Sequence, residues 1–179
     1  MKVDSLMIFT ETKLKGAFII EPEKLEDDRG FFARVFDKEK FQELGLETEF
    51  VQSNISLSKK KGTLRGMHYQ ISPYEEVKIV RCTRGRMFDV IVDLRPDSKT
   101  FKKWIGVELS EENCKMLYIP KGFAHGFQTL EDNTEIFYKN SQVYMPTHES
   151  GIRWDDKPFQ ISWPLKPMEI SKKDLSWKP

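Results

Sequence analysis

The feature that most constrains this chain is its punctuation. Glycine and proline recur at Gly16, Gly30, Gly62, Gly85, Pro96, Gly122 and Pro146. Between them lie short runs rich in β-branched and aromatic residues: Ala17–Ile20, Phe31–Phe36, Phe50–Leu57, Lys78–Thr83, Met87–Leu94, Trp104–Leu109, Lys115–Ile119 and Thr134–Tyr138. Runs of strand length separated by turn formers predict an all-β sandwich or barrel. One short peripheral helix is expected after Asp37, an acceptable N-cap, with Phe41 and Leu44 on one face and Gly45 placed to end it. After Pro158 the chain reads as an irregular tail, yet Trp163 and Trp177 are too large to leave unpacked, so the tail is expected to be ordered.

A chain of 179 residues suits one hydrophobic core, so residues 1–179 are expected to form a single domain. Its 39% apolar and 12% aromatic content excludes a disordered polymer. Lys and Arg number 29 against 28 Asp and Glu, a net charge of +1, so no global field recruits nucleic acid or an anionic membrane. No stretch free of these charged residues exceeds nine positions, whereas a spanning helix needs about 20 apolar residues. Met1–Thr10 carries Lys2 and Asp4 ahead of an apolar segment too short for a secretory signal, and Cys82 and Cys114 form no motif. The expectation is a cytoplasmic protein with two reduced, buried thiols.

Along Met87–Leu94 the alternation puts Phe88, Val90, Val92 and Leu94 on one face and Met87, Asp89, Ile91 and Asp93 on the other. Two readings stand for the carboxylates. Either one points into a partly polar cavity, or Asp93 caps the turn at Arg95-Pro96-Asp97 and Asp89 is solvated.

The three histidines narrow the chemistry. His125 lies in Pro120-Lys121-Gly122-Phe123-Ala124-His125, and His68 lies in Leu64-Arg65-Gly66-Met67-His68-Tyr69-Gln70. The first of these segments resembles the second sequence motif of the cupin superfamily, in which a histidine points into a barrel. The segment around His68 takes the place of the first cupin motif, but Gln70 stands where a second histidine is usual. A mononuclear metal site needs several converging ligands, so the expectation is a metal-free cupin jelly roll that works by proton transfer or by binding. Imidazole titrates near neutrality and suits a general base once a carboxylate fixes its tautomer. Lys78, opening the apolar strand Lys78-Ile79-Val80, either snorkels to the rim or aims an ammonium at a developing oxyanion.

Longer blocks make the resemblance specific. Gln52-Ser53-Asn54-Ile55-Ser56, Leu64 to Gln70, Lys78 to Cys82, Phe88 to Arg95, Tyr118 to Phe127 and Gly151-Ile152-Arg153-Trp154-Asp155-Asp156, in this order, resemble the dTDP-4-dehydrorhamnose 3,5-epimerase family from about Asp28 to Asp174. The resemblance implies a cofactor-independent isomerase, usually a homodimer, acting at C3 and C5 of a nucleotide-diphospho-4-keto sugar. It further implies His68 as the base paired with Asp174, Lys78 at the enolate and Tyr138 as the acid. Arg65 and His125 fall on positions that meet the pyrophosphate, Gln52, Asn54 and Asp89 on positions of the substrate site, and Arg29 on the segment that contacts nucleotide.

One position departs from that pattern. Arg34 stands where the family usually has an acidic residue facing thymine. Arginine matches the O6 and N7 acceptors of guanine in bidentate fashion, so a GDP-linked 4-keto hexose or heptose stands beside the dTDP-linked sugar as substrate. The other reading makes Arg34 a phosphate or surface contact. Two further alternatives are a C3-only epimerase and a sugar-nucleotide-binding cupin without catalysis.

Overall fold

The computed structural model describes residues 6–177, so Lys2 and Asp4, on which the N-terminal reading turned, lie outside the described residues. Two antiparallel sheets face each other. The first runs β1 (Met7–Glu11), β2 (Phe18–Pro22), β10 (Met116–Ile119), β7 (Lys78–Arg84), β12 (Thr134–Asn140) and β5 (Gln52–Ser58) in spatial order. The second runs β13 (Glu149–Gly151), β6 (Thr63–Gln70), β11 (Phe123–Thr129), β8 (Arg86–Asp93) and β9 (Trp104–Ser110), with β14 (Glu169–Ile170) parallel to β6. Neighbours come from distant parts of the chain, and the sandwich is the expected cupin jelly roll. β3 (Lys24–Asp27) and β4 (Gly30–Ala33) form a separate hairpin.

Strand alternation explains the layering. Val80, Cys82, Leu117 and Ile136 of the first sheet meet Met87, Ile91, Leu109, Phe123 and Phe127 of the second in the central core. Ile79, Met116 and Tyr118 point the other way and pack with Phe41 of α1 (Lys38–Glu43). Val90 and Val92 also point outward, where Phe159, Ile161 and Trp163 of the tail cover them. The tail is therefore ordered as expected: the Trp163 indole donates to the Trp154 carbonyl at 2.9 Å, and the Gln128 amide bonds both backbone groups of Leu165.

Each expected run falls on a strand, but Phe31–Phe36 is only half extended, ending at Ala33. Phe36 leaves it to pack on Phe41 and Phe50. Asp37 caps α1 as expected. The face expected to hold both Phe41 and Leu44 holds only Phe41, because the helix stops at Glu43 and leaves Leu44 44% exposed. β6 and β11 carry glycines and polar inward residues, so no alternation announced them. The two cysteines are buried and free.

Asp93 is the turn cap. Its buried carboxylate accepts from Arg95 N, Nε and Nη2 at 3.1, 2.8 and 2.7 Å, and from the Ser98 and Thr100 hydroxyls at 2.6 Å each. Burial alone would raise its proton affinity, but these donors outweigh burial and hold the carboxyl well below the usual range. Asp93→Asn should cost about 3 kcal/mol in urea unfolding at pH 7. Because the wild-type contribution is complete above the unfolded carboxylate value and fades below it, the deficit should be constant above about pH 4 and shrink as pH falls further.

Candidate active site

β6 and β11 pair in a register that sets His68 directly across from His125. Their close approach depends on two glycines. A Cβ on Gly66 would lie 2.5 Å from the Gly126 Cα, and Gly66 has a φ of +121°, a conformation that L side chains rarely adopt. Between His125 and Phe127 the pairing shifts register, which marks a bulge of the kind that re-aims side chains beside functional sites.

Each histidine is held by a buried carboxylate. His68 Nε2 lies 2.6 Å from Asp174 Oδ1, and His125 Nε2 lies 2.6 Å from Asp89 Oδ1. Asp89 is thus neither solvated nor part of the cleft lining: it is fully buried and reaches the cleft only through His125. Asp174 stands 106 residues from His68 in sequence and arrives on α2 (Lys172–Leu175), a short helix capped by Ser171. Its second oxygen accepts from the Gly66 amide at 3.2 Å. Burial raises the Asp174 carboxyl, but the His68 hydrogen bond and charge, the Gly66 amide and Ser171 together outweigh it and leave the group below its ordinary value. It is an anion at neutral pH. An anion on Nε2 keeps the proton on that nitrogen and leaves Nδ1 with its lone pair.

The cleft, about 180 Å³, is lined by Arg65, His68, Lys78, His125 and Tyr138, with Ser56, Ile136 and Phe127 completing its wall. His68 and His125 project from the second sheet, and Lys78 and Tyr138 from the first. The Tyr138 phenol is pushed up by burial, with the Arg65 charge working against the shift, so it keeps its proton at neutral pH. Arg65 is fixed by the Ser58 hydroxyl at 3.2 Å and the Leu57 carbonyl at 3.1 Å. The arrangement can take a proton on one side, give one on the other and neutralise an oxyanion between them.

Other expected positions lie further out. Asn54 sits opposite Tyr138 and Gln52 opposite Asn140 in the β5–β12 ladder, and the Gln52 side-chain oxygen Oε1 accepts from the Tyr144 backbone amide at 2.9 Å. Neither lines the central cleft, although Ser56 on the same alternating face does. Arg29 pairs with Asp27 on the β3–β4 hairpin and Arg34 pairs with Asp37 at 2.8 Å, both away from the cleft of this chain. Gln70, at the missing-histidine position, donates its amide protons to the Tyr74 and Val143 carbonyls, and its side-chain oxygen accepts from the Met145 amide. It pins a loop. Among the described residues no three His, Cys, Asp or Glu side chains are grouped to hold a metal ion.

Two features escaped the sequence reading. Glu149 bonds Lys173 at 2.5 Å and the Tyr144 hydroxyl at 2.7 Å, tying β13 to α2 beside Asp174. Gly151 lets Trp177 lie against β13, since a Cβ there would sit 2.3 Å from the indole. Nothing short-range in the sequence signals these contacts.

The family model described as dTDP-4-dehydrorhamnose 3,5-epimerase matches residues 11–179. An enzyme of that name from Methanothermobacter thermautotrophicus is 49% identical over 174 residues, covering 96% of this chain and 93% of its own. The solved 3,5-epimerase of Bacillus anthracis, with TDP and pyrophosphate bound, superposes with a TM-score of 0.93 at 43% identity, over 96% of this chain and 98% of that one. A Legionella pneumophila dTDP-6-deoxy-D-glucose-3,5-epimerase in complex with dTDP-4-keto-L-rhamnose gives 0.90 at 42% identity, over 96% and 91%. With its jelly roll, its paired histidines and this breadth of similarity, the chain belongs to the dTDP-4-dehydrorhamnose 3,5-epimerase family.

Proposed function

We propose that this isomerase inverts C3 and C5 of a dTDP-linked 4-keto-6-deoxy sugar by removing and returning a proton at each carbon, without metal or organic cofactor. The observation that carries the reading is the opposition of the His68–Asp174 pair on one sheet to Tyr138 on the other, with Lys78 lining the same cleft. A proton α to a ketone becomes acidic only when the enolate is stabilised, and inversion requires its return on the opposite face. His68 takes the proton, Asp174 stabilises the imidazolium, the Lys78 ammonium meets the enolate oxygen, and Tyr138 returns a proton from across the cleft. Arg65 and His125 supply cationic or donor groups for the diphosphate.

Thymidine is the nucleotide this reading favours. Arg34, the candidate guanine reader, is held by Asp37, a carboxylate on its own chain, and the relatives' names carry dTDP. A homodimer fits the β3–β4 hairpin, which exposes Phe31 (53%) and Phe32 (59%) with Arg29 beside them. Apolar surface of that kind is covered in a stable assembly. Free Cys82 and Cys114 suit a cytoplasmic enzyme. No described helix is long and apolar enough to cross a membrane.

Conversion of dTDP-4-keto-6-deoxyglucose in deuterated water tests the reaction directly. Product labelled at both C3 and C5 by NMR is the expected outcome. Label at C3 alone would convert the assignment to a C3-only epimerase, and no exchange would leave a binding protein. Tyr138→Phe keeps the ring and removes its proton. That variant should still exchange a sugar proton with solvent while losing the C5-inverted product. Undiminished C5-inverted product would place the acid elsewhere.

A further inference from the structure

Beyond Lys78 the cleft continues into a polar recess of about 120 Å³ whose lining includes His68, Glu76, Lys78, Tyr138 and Asn140. Glu76 is the unexplained member. Its side chain is 7% exposed and that of Lys78 13%, with Oε1 3.0 Å from the lysine Nζ. Its other oxygen, Oε2, is buried without a hydrogen-bond partner, as is Oδ1 of Asn140, the residue directly across from Lys78 in the β7–β12 ladder.

A buried carboxylate with one oxygen unpaired is costly in any fold. Lys78 is the one cation the described structure sets against it, so the effect on Lys78 is the reason to look for. A lysine ammonium sits at the end of a flexible four-carbon stem and carries three N–H donors. Left alone it samples many rotamers. Paired with Glu76 at 3.0 Å, the nitrogen is anchored by charge and keeps N–H donors for oxygens in the cleft.

We propose that Glu76 is a positioning residue, whose carboxylate holds the Lys78 ammonium where the ketone oxygen of the substrate becomes an enolate. This rests on the reading of Lys78 given above. Negative charge on that oxygen grows in the transition state, so loss of the anchor lowers kcat far more than it raises KM. Proton removal at C3 and at C5 feeds charge to the same oxygen. Exchange at both carbons therefore falls by one common factor, unlike the selective loss at Tyr138.

The test compares Glu76→Ala, Lys78→Ala and the double variant by solvent deuterium exchange at C3 and C5, each shown to be folded by circular dichroism. Glu76→Ala should lose roughly tenfold to hundredfold in kcat, equally at both carbons, with KM within about twofold, and sodium formate should restore part of the loss where equal sodium chloride does not. In the Lys78→Ala background the same substitution should cost nothing further. Should Glu76→Ala fail to fold, Glu76→Gln carries the same comparison with a smaller loss, because its amide oxygen still accepts from the ammonium. Full activity of the Glu76 variants beside an inactive Lys78→Ala would overturn the proposal, as would an equal loss in the Lys78→Ala background. A fully active Lys78→Ala would instead overturn the role of Lys78 on which the proposal rests.

Discussion

The hydrogen bond from His68 to Asp174 organises the rest of the site, because its two partners come from opposite ends of the fold. His68 is fixed by the β6–β11 ladder, whereas Asp174 belongs to a tail with little regular structure of its own. Bringing that carboxylate to the imidazole requires a chain of attachments: Trp163 to Trp154, Gln128 to Leu165, β14 alongside β6, Ser171 capping α2, and Trp177 against Gly151. Asp174 is then 3% exposed. A carboxylate so buried would ordinarily gain a proton, and it remains an anion only because imidazole, amide and hydroxyl donors converge on it. The His68 imidazole is thus coupled to the docking of the tail.

Rigidity comes from the layers beneath. Apolar side chains from both sheets fill the interior below the cleft, and a second apolar layer lies under the tail. Strands held on both faces keep their side chains to small excursions, which lets donors and acceptors stay placed before a substrate arrives. Two carboxylate-held histidines, Arg65, Lys78 and Tyr138 then share one small cavity, the histidines and Arg65 on one sheet and Lys78 and Tyr138 on the facing one.

Much of this was legible in the linear sequence, and what was not has physical reasons. Turn residues delimited the strands because Gly and Pro act locally. The alternation in Met87–Leu94 correctly put Asp89 and Asp93 on one face, but only the position of the following turn separates them: Asp93 sits at the strand end where Arg95, Ser98 and Thr100 can reach it, while Asp89 lies mid-strand beside His125. His68 and Lys78 stood out by residue type and setting. Asp174 did not, since a pairing across 106 residues leaves no local signal, and family resemblance alone pointed to it. Glu76 and Glu149 carry no local signal, and only the folded chain sets their largely buried carboxylates against Lys78 and Lys173. Arg29 and Arg34 lie on or beside a separate hairpin and pair with Asp27 and Asp37 of their own segment, away from the cleft.

The proposed role of the Asp174-paired imidazole of His68 is to take the sugar proton. It is tested most directly by the rate of solvent deuterium exchange at C3 of dTDP-4-keto-6-deoxyglucose in a folded His68→Asn variant. Asparagine keeps hydrogen-bonding capacity toward Asp174 but has no titratable nitrogen. A loss of at least about 10²-fold is expected, the contribution of a positioned base, with binding of dTDP retained. Exchange at close to the wild-type rate would contradict it.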